Sequence, residues 1–339
     1  MKEFILTRTP HRVSFFGGGT DLKSFYTRHH GLTLSTAINN YVYVGVKRHT
    51  KFFNEKYRIV YSETELHNKI PKIKNDIVRD TLKFCNFNDP IYINSISDLP
   101  AGSGLGSSSA FTIGLLKAVY KLMGVKKNNI QLAEEACEIE INRIKKPIGK
   151  QDQYACAIGD VNLITYHSSG LVSCKNKSNI KKFINEIMAS SLFVWTGISR
   201  KSEIILKSQN LDIKTKLLEN EMLKIKNICK NVYDEISNYN GKNFKYLKNF
   251  FIDNLNDTWH IKRSLHKDMT NLQIKKIIKI INSHCKSKIG IKLLGAGAGG
   301  FIMVTGIQNT QLLKKNLLKK KYCLLKLALI RKVQFIYND

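Results

Sequence analysis

Short runs of apolar and β-branched residues fill the first third of the chain: Phe4 to Thr9, Val13 to Phe16, Tyr41 to Arg48, Arg58 to Tyr61 and Ile91 to Ile96. Runs of this kind predict strands. From Gly106 the period changes, and Phe111, Leu115, Leu116, Val119 and Leu122 fall on one face of a helix that Gly124 stops. A second helix is predicted from about Ile130 to Ile144, ahead of Pro147. Strand signals return at Val161 to Tyr166 and Leu192 to Thr196. Beyond about residue 200 come long Lys-rich helical stretches, then strands around Ile289 to Leu294 and Phe301 to Thr305. A helix near Gln308 to Leu318 and a last strand near Leu324 to Tyr337 complete the pattern.

Strands first, then helices, then strands again predict an α+β fold, not a regular βαβ doubly wound sheet. A chain of 339 residues is long enough for two lobes around separate cores. The change of pattern divides it into residues 1–185 and 186–339, with no internal repeat.

Composition narrows the class. Apolar residues make up 43% of the chain, with no run long enough to cross a bilayer and no leader of the secretory kind. The expectation is a cytoplasmic protein with no membrane partner. Seven cysteines stand singly, without a C-x-x-C pair, and are expected to be reduced and mostly buried. The formal charge of +29 suits nucleic acid, an anionic membrane or phosphorylated small ligands, and does not choose among them. Lys314, Lys315, Lys319, Lys320 and Lys321 alternate with apolar residues at helical spacing, which makes them wet helix faces and no nucleic-acid arm.

Three glycine-rich stretches carry candidate chemistry. In Pro100-Ala101-Gly102-Ser103-Gly104-Leu105-Gly106-Ser107-Ser108-Ser109, alternating glycines between a strand and a helix let a polyphosphate approach the backbone. The free amides of the helix N-terminus then point at it. The serines can cap the helix, hold phosphate oxygens or ligate Mg²⁺; a plain Gly/Ser turn is the alternative. The Walker A lysine is missing. The stretch Gly295 to Gly300 satisfies G-x-G-x-x-G, but a strand follows it and no Asp or Glu occurs between Asp268 and Asp339. A dinucleotide site is therefore excluded, leaving a closing loop or a simple turn. Around Arg8 to Asp21, two arginines precede three glycines and an aspartate follows them; Arg8 or Arg12 can neutralise phosphate oxygens, and Asp21 can accept from sugar hydroxyls or serve only as a turn residue. Asp152, in Gly149-Lys-Gln-Asp-Gln153, can orient or deprotonate an attacking hydroxyl, or merely cap a helix. No histidine is assigned to metal.

Four blocks in order resemble the GHMP kinase superfamily: Arg12-Val-x-Phe-x-Gly-Gly-Gly-Thr-Asp21, Pro-x-Gly-x-Gly-Leu-Gly-Ser-Ser at 100 to 108, Gly-Lys-Gln-Asp-Gln at 149 to 153, and Gly-Ala-Gly-x-Gly-Gly at 295 to 300. The first and third look most like the bacterial D-glycero-D-manno-heptose 7-phosphate kinases; galactokinases carry Gly-Glu-His-Thr-Asp at the first block, from which this chain departs. The resemblance implies a ribosomal-protein-S5-like N-terminal lobe and a ferredoxin-like C-terminal lobe, with ATP and a sugar phosphate in the cleft between them. It implies Asp152 as base or orienting group, Arg12 for transferring charge, and residues 100–109 for ATP. Gly18, Gly19, Thr20 and Asp21 then meet the sugar, with Gly297 and Ala298 closing over it. Ser108 corresponds to a Mg²⁺-binding serine, and Glu140 is the candidate carboxylate partner, spaced one residue further from Asp152 than in that pattern. Arg8, Lys23, Lys150 and Arg200 are candidates for the acceptor's phosphate. The resulting expectation is an ATP- and Mg²⁺-dependent kinase that makes heptose 1,7-bisphosphate for a surface glycan, as monomer or homodimer and without nucleic acid. The alternatives are a fucose-like or hexose kinase, or a basic nucleic-acid-binding protein.

Overall fold

The computed structural model describes residues 4–199, 203–285, 287–308, 310–329 and 336–337. Two sheets organise them. Strands β1 (Phe4–Phe16), β2 (Gly31–Arg48), β3 (Tyr57–Val60), β4 (Thr64–His67), β5 (Ile91–Ser97), β6 (Val161–Tyr166), β7 (Val172–Lys175) and β12 (Ile336–Tyr337) form an eight-stranded sheet. Its main path runs β12-β1-β2-β5-β3-β4, and β6 pairs with β2 and β7. Strands β8 (Leu192–Trp195), β9 (Gly290–Leu293), β10 (Phe301–Thr305) and β11 (Leu324–Leu325) form the second sheet in the order β11-β8-β10-β9.

Among the described strands only β3 and β5 pair in parallel, as expected of an α+β chain rather than a doubly wound one. Strand β2 is long enough to serve two neighbours on one edge. Its first part, Gly31 to Thr36, pairs with β6, and its second, Val42 to Arg48, with β5. On the other edge β1 follows it throughout, with register shifts at Pro10/Arg12 and Ser14/Phe16. Such irregularities bend a strand and re-aim its side chains. Here they fall on the stretch that carries Arg12 and Ser14.

The helices are α1 (Lys23–His29), α2 (Asp76–Phe84), α3 (Ser107–Leu122), α4 (Asn129–Cys137), α5 (Gln151–Ile158) and α6 (Ser178–Ala189). After β8 come α7 (Glu203–Lys214), α8 (Glu219–Ile236), α9 (Phe244–Ser264), α10 (Leu272–His284) and α11 (Thr310–Lys319). Helix α3 lies close on β1 because Gly114 has no side chain: a Cβ there would fall 3.0 Å from Thr9 Oγ1, and Thr7 Oγ1 donates to the Gly114 carbonyl at 2.9 Å.

Two expectations change. The single helix from 130 to 144 becomes α4 followed by a π-helical turn over Glu138–Arg143. The long last strand is represented by the two-residue β11 and β12, with 330–335 outside the described residues.

The buried apolar residues form three clusters, and the middle one draws on both halves of the chain. Ile5, Val44, Ile93, Leu116 and Val119 pack between the first sheet and helices α2 to α5. Leu192, Val194, Ile302 and Val304 pack with Ile274, Ile277 and Leu313 on the far side of the second sheet. Between them a middle cluster joins Phe15 and Phe16 of β1 to Phe193, Met303, Phe183 and Phe251. Phe251 meets the rings of Phe15, Phe16 and Phe183 edge-on at 5.7, 5.0 and 5.8 Å. Burying a side chain of this size contributes about 1.5–3 kcal/mol, so strand β1 and the second half of the chain are held as one body. All seven cysteines are free; Cys85, Cys137, Cys156 and Cys229 are buried, and Cys323 is exposed.

Candidate active site

The N-terminus of α3 opens on a cleft of about 340 Å³. Gly102, Gly104 and Gly106 all have positive φ, at 71°, 80° and 82°, a conformation that side chains oppose. Gly106 is the N-cap, so no side chain covers the first amides of α3, and they face the cleft through Ser107, Ser108 and Ser109. That leaves a positive helix end available to an anion. The loop is pinned on both sides. Arg12 N–H donates to the Leu105 carbonyl at 2.9 Å, and Phe301 N–H donates to the Ser103 carbonyl at 3.1 Å.

The shift in β1 turns Arg12 inward beside this loop. Its Nε and Nη2 donate to Asp152 Oδ1 and Oδ2 at 2.8 and 2.7 Å, while Nη1 donates to the Gly104 carbonyl at 2.8 Å. Arg12 is only 4% exposed at its side chain and Asp152 is 29% exposed, so the carboxylate is the member of the pair that meets the cleft. Asp152 Oδ1 also accepts from Gln151 Nε2 at 3.1 Å, and Gln151 Oε1 accepts from Ser14 at 2.9 Å. A carboxylate has about four acceptor directions. One direction on Oδ2 remains for a hydroxyl in the cleft.

Asp21 stands next to this group but is tied to backbone. Its Oδ1 accepts from Gly19 N–H and its Oδ2 from Gln151 N–H, each at 3.0 Å. The second bond caps α5, which has no cap of its own. Burial, with the charge of Asp152 as a lesser cause, pushes the Asp21 carboxyl above its usual range. A Cβ on Gly149 would fall 2.0 Å from Asp21 Oδ2, so this close approach needs glycine.

Glu140 is fully buried. The π-helical turn carries it to α3, where Oε1 accepts from Ser108 at 2.6 Å and Oε2 from Ser109 at 2.8 Å and Gln153 at 2.9 Å. A π turn holds one more residue per hydrogen-bonded ring than an α turn, which accommodates the extra residue between Glu140 and Asp152. Lys146 Nζ lies 3.0 Å from Ser108 Oγ and 3.4 Å from Glu140 Oε1. This pair of oxygens thus already holds a cation, and a carboxylate with a hydroxyl is the donor chemistry that Mg²⁺ takes beside phosphate. The residues fit such an ion.

Other expected residues lie elsewhere. Arg8 is not among the cleft residues; its guanidinium stacks 4.2 Å over the Tyr41 ring. Lys150 Nζ turns to the Gly170 carbonyl at 2.6 Å and to the face of Tyr26. Lys23 is exposed at the start of α1, outside the cleft. Thr20 hydrogen-bonds the Gly17 and Leu32 carbonyls, and Leu105 is core. Pro100 and Ala101 are exposed, and Ala101 O accepts from Ser199 at 2.5 Å. In the 295–300 loop, Gly295 and Ala296 line the cleft, whereas Gly297 and Ala298 turn against Met269. Arg200 lies outside the described residues. Gly18 and Gly19 do line the cleft.

Among the cleft residues that the sequence reading did not single out are Gln151, Lys146, Lys262 and Lys292. Lys292 is 2% exposed, and its Nζ donates to the Phe15 carbonyl and to that of Ser14 at 3.1 Å. Burial first, then the charges of Lys262 and Arg12, hold its ammonium well below the usual lysine range. Its signal was a lone lysine inside the buried strand Gly290–Leu293. Lys262, on α9, donates to the Gly295 carbonyl at 2.5 Å; on sequence it resembled any wet helix face.

Residues 68–160 match the family described as GHMP kinases N terminal domain. The chain is 29% identical over 315 residues to the D-glycero-alpha-D-manno-heptose 7-phosphate kinase of Campylobacter jejuni, covering 88% of each. It is 28% identical over 244 residues to the mevalonate kinase of Methanocaldococcus jannaschii, covering 70% of each. A solved structure of a D-glycero-D-manno-heptose 1-phosphate kinase from Bacteriodes thetaiotaomicron superposes with a TM-score of 0.74 at 19% identity, over 96% of each chain. The last likeness establishes the fold.

Proposed function

We propose that this chain is an ATP-dependent sugar kinase of the GHMP family and that it phosphorylates the anomeric hydroxyl of D-glycero-D-manno-heptose 7-phosphate. The observation that carries this reading is one shared cleft in which the uncapped N-terminus of α3 and the Arg12-held carboxylate of Asp152 face the same space. A polyphosphate donor and a hydroxyl acceptor need that juxtaposition.

The division of labour follows from the contacts. The backbone amides of Ser107 to Ser109 and the hydroxyl of Ser107 hold the ATP phosphates, with Lys146 beside them. Ser108 and Glu140 would hold Mg²⁺, which when bound screens phosphate charge. Asp152 directs the acceptor hydroxyl through its open Oδ2, and Arg12 fixes Asp152 and the loop carbonyl of Gly104 together. Phosphoryl transfer passes through a loose transition state, so orientation and charge neutralisation matter more than strong basicity. Gly18 and Gly19 offer backbone to the sugar, and the buried Asp21 keeps that backbone in place.

The acceptor's identity draws on the Campylobacter relative, whose name specifies a heptose already phosphorylated at position 7. The Bacteriodes protein is named for a 1-phosphate, so the position of transfer is the point to test. The reading takes the chain as two lobes dividing near residue 185, acting in the cytoplasm toward an activated heptose for a surface glycan. No helix among the described residues is long and apolar enough to cross a membrane. The decisive measurement is ³¹P NMR of the product from heptose 7-phosphate and ATP: a new anomeric phosphate with retention of the 7-phosphate is expected. ATP consumption only with other sugars would replace the acceptor.

A further inference from the structure

Lys146 Nζ rests on the same two oxygens, Ser108 Oγ at 3.0 Å and Glu140 Oε1 at 3.4 Å, that suit a divalent cation. We propose that the Lys146 ammonium and Mg²⁺ are alternative occupants of this oxygen pair, so that Lys146 holds the pair until nucleotide phosphates draw it away. This deepens the function proposed above and rests on its assignment of Mg²⁺ to Ser108 and Glu140.

The charge of Glu140 requires an occupant. The residue is fully buried, and its Oε2 accepts from Ser109 at 2.8 Å and Gln153 at 2.9 Å, both neutral donors. Oε1 accepts from the Ser108 hydroxyl at 2.6 Å and forms the ion pair with Lys146. A buried carboxylate that loses its cation is strongly disfavoured, so the ammonium can leave only where another cation takes its place.

The backbone delivers Lys146 to this position. Its N–H donates to the Glu140 carbonyl at 2.9 Å across Lys145, whose φ is 64°. A left-handed residue closing the end of a helical turn is ordinarily glycine or asparagine, and a lysine there is uncommon. The chain thereby folds back over the π-helical turn, and the Lys146 side chain starts beside Glu140.

Lys146 also has a way out. Its side chain is 16% exposed and lines the cleft with Ser107, Ser108 and Ser109, so the flexible stem can carry the ammonium toward phosphates at the head of α3 without opening the fold. An ammonium and a divalent ion on one oxygen pair would repel strongly. Lys146 therefore makes free divalent cation bind weakly, and couples its binding to that of the nucleotide.

Mn²⁺, which takes the same oxygen donors, serves as the probe, with the paramagnetic resonance of free Mn²⁺ as the readout. Without nucleotide, Lys146→Met is expected to bind Mn²⁺ about tenfold more tightly than the native full-length protein. Lys145→Asn removes the same charge from the exposed neighbour, keeps its left-handed backbone, and should change the affinity by less than about twofold. Unchanged or weaker binding by Lys146→Met, or equal tightening in both variants, overturns the proposal. Thermal melts give a second arm. In EDTA, Lys146→Met should melt a few degrees below the native protein, and Mn²⁺ should return most of the difference. A deficit that Mn²⁺ leaves in place identifies an ordinary structural ion pair and refutes the exchange. Adding Glu140→Gln to Lys146→Met should abolish the gain in Mn²⁺ affinity; a gain that persists places the ion elsewhere and overturns both the exchange and the metal assignment. If the gain appears and depends on Glu140 while no sugar is phosphorylated, the kinase reading fails and the exchange stands.

Discussion

Arg12 and Asp152, 140 residues apart, meet through two parallel hydrogen bonds of 2.8 and 2.7 Å, with Arg12 also holding the Gly104 carbonyl of the glycine-rich loop. One guanidinium therefore sets both the direction of the carboxylate and the position of the loop. Planar, two-point recognition of this kind is beyond an ammonium. Arg12→Lys is expected to reduce kcat by about 100-fold or more, with a smaller rise in the KM for ATP. Steady-state kinetics on both substrates would expose a purely structural Arg12 by an unaltered kcat.

Asp152→Asn preserves shape while removing the charge and turning one acceptor oxygen into a donor that opposes Arg12. Turnover should drop by orders of magnitude, on the order of 10²–10⁴ for loss of a proton acceptor in the transition state, with ATP affinity little changed. Equilibrium binding of a nucleotide analogue, set beside single-turnover rates, separates the two effects. A variant turning over at the native rate would remove Asp152 from the mechanism.

Glu140→Gln should raise the Mg²⁺ concentration needed for half-maximal rate by about tenfold, the equivalent of about 1.4 kcal/mol in metal affinity. It should also cost about 1–3 kcal/mol of stability, because Ser109 and Gln153 would face an amide in place of a buried carboxylate oxygen. A Mg²⁺ titration at saturating ATP checks the first point and urea unfolding the second. An unchanged Mg²⁺ profile would place the ion elsewhere.

A Cβ at Gly300 would fall 2.4 Å from the Ser103 carbonyl oxygen, and the residue has a φ of 90°. Gly300→Ala therefore strains the contact by which the second sheet supports the glycine-rich loop before α3. The expected result is a higher KM for ATP together with a loss of about 1–3 kcal/mol in stability. If the variant melts and binds nucleotide as the native protein does, the loop is not supported from that side.

Stability should fall in mild acid because of His11. Burial, and then the charge of Arg12, lower its imidazole to about 4 against an ordinary 6.5. Below pH 6.5 the unfolded chain takes up a proton there that the folded chain refuses until about 4, so this contribution to stability is lost as pH falls through that window. The shift corresponds to about 3 kcal/mol. Asp21 acts in the opposite sense: its raised pKa makes the folded chain hold a proton that the unfolded chain releases. Thermal melts between pH 7 and 4 should show a steeper decline for the native protein than for His11→Gln. Parallel curves would assign the acid sensitivity to other groups.

What the sequence determined by itself were the features encoded over a few neighbouring residues. The strands around β1, β5, β6, β8, β9 and β10, the helix beginning at Ser107 and the glycines that expose its amides follow from local periodicity and from the freedom of glycine at positive φ. The order of the four blocks also held, since order is linear information. Tertiary structure decided which charges meet. The register shifts in β1 turn Arg12 toward Asp152, the π-helical turn brings Glu140 to Ser108, and a shared core carries Lys262 and Lys292 into the cleft. Arg8 and Lys150, equally basic on paper, instead stack on tyrosines. A side chain's charge is written in the chain, but its partners depend on strand register and helix packing, which long-range burial sets and no local pattern records.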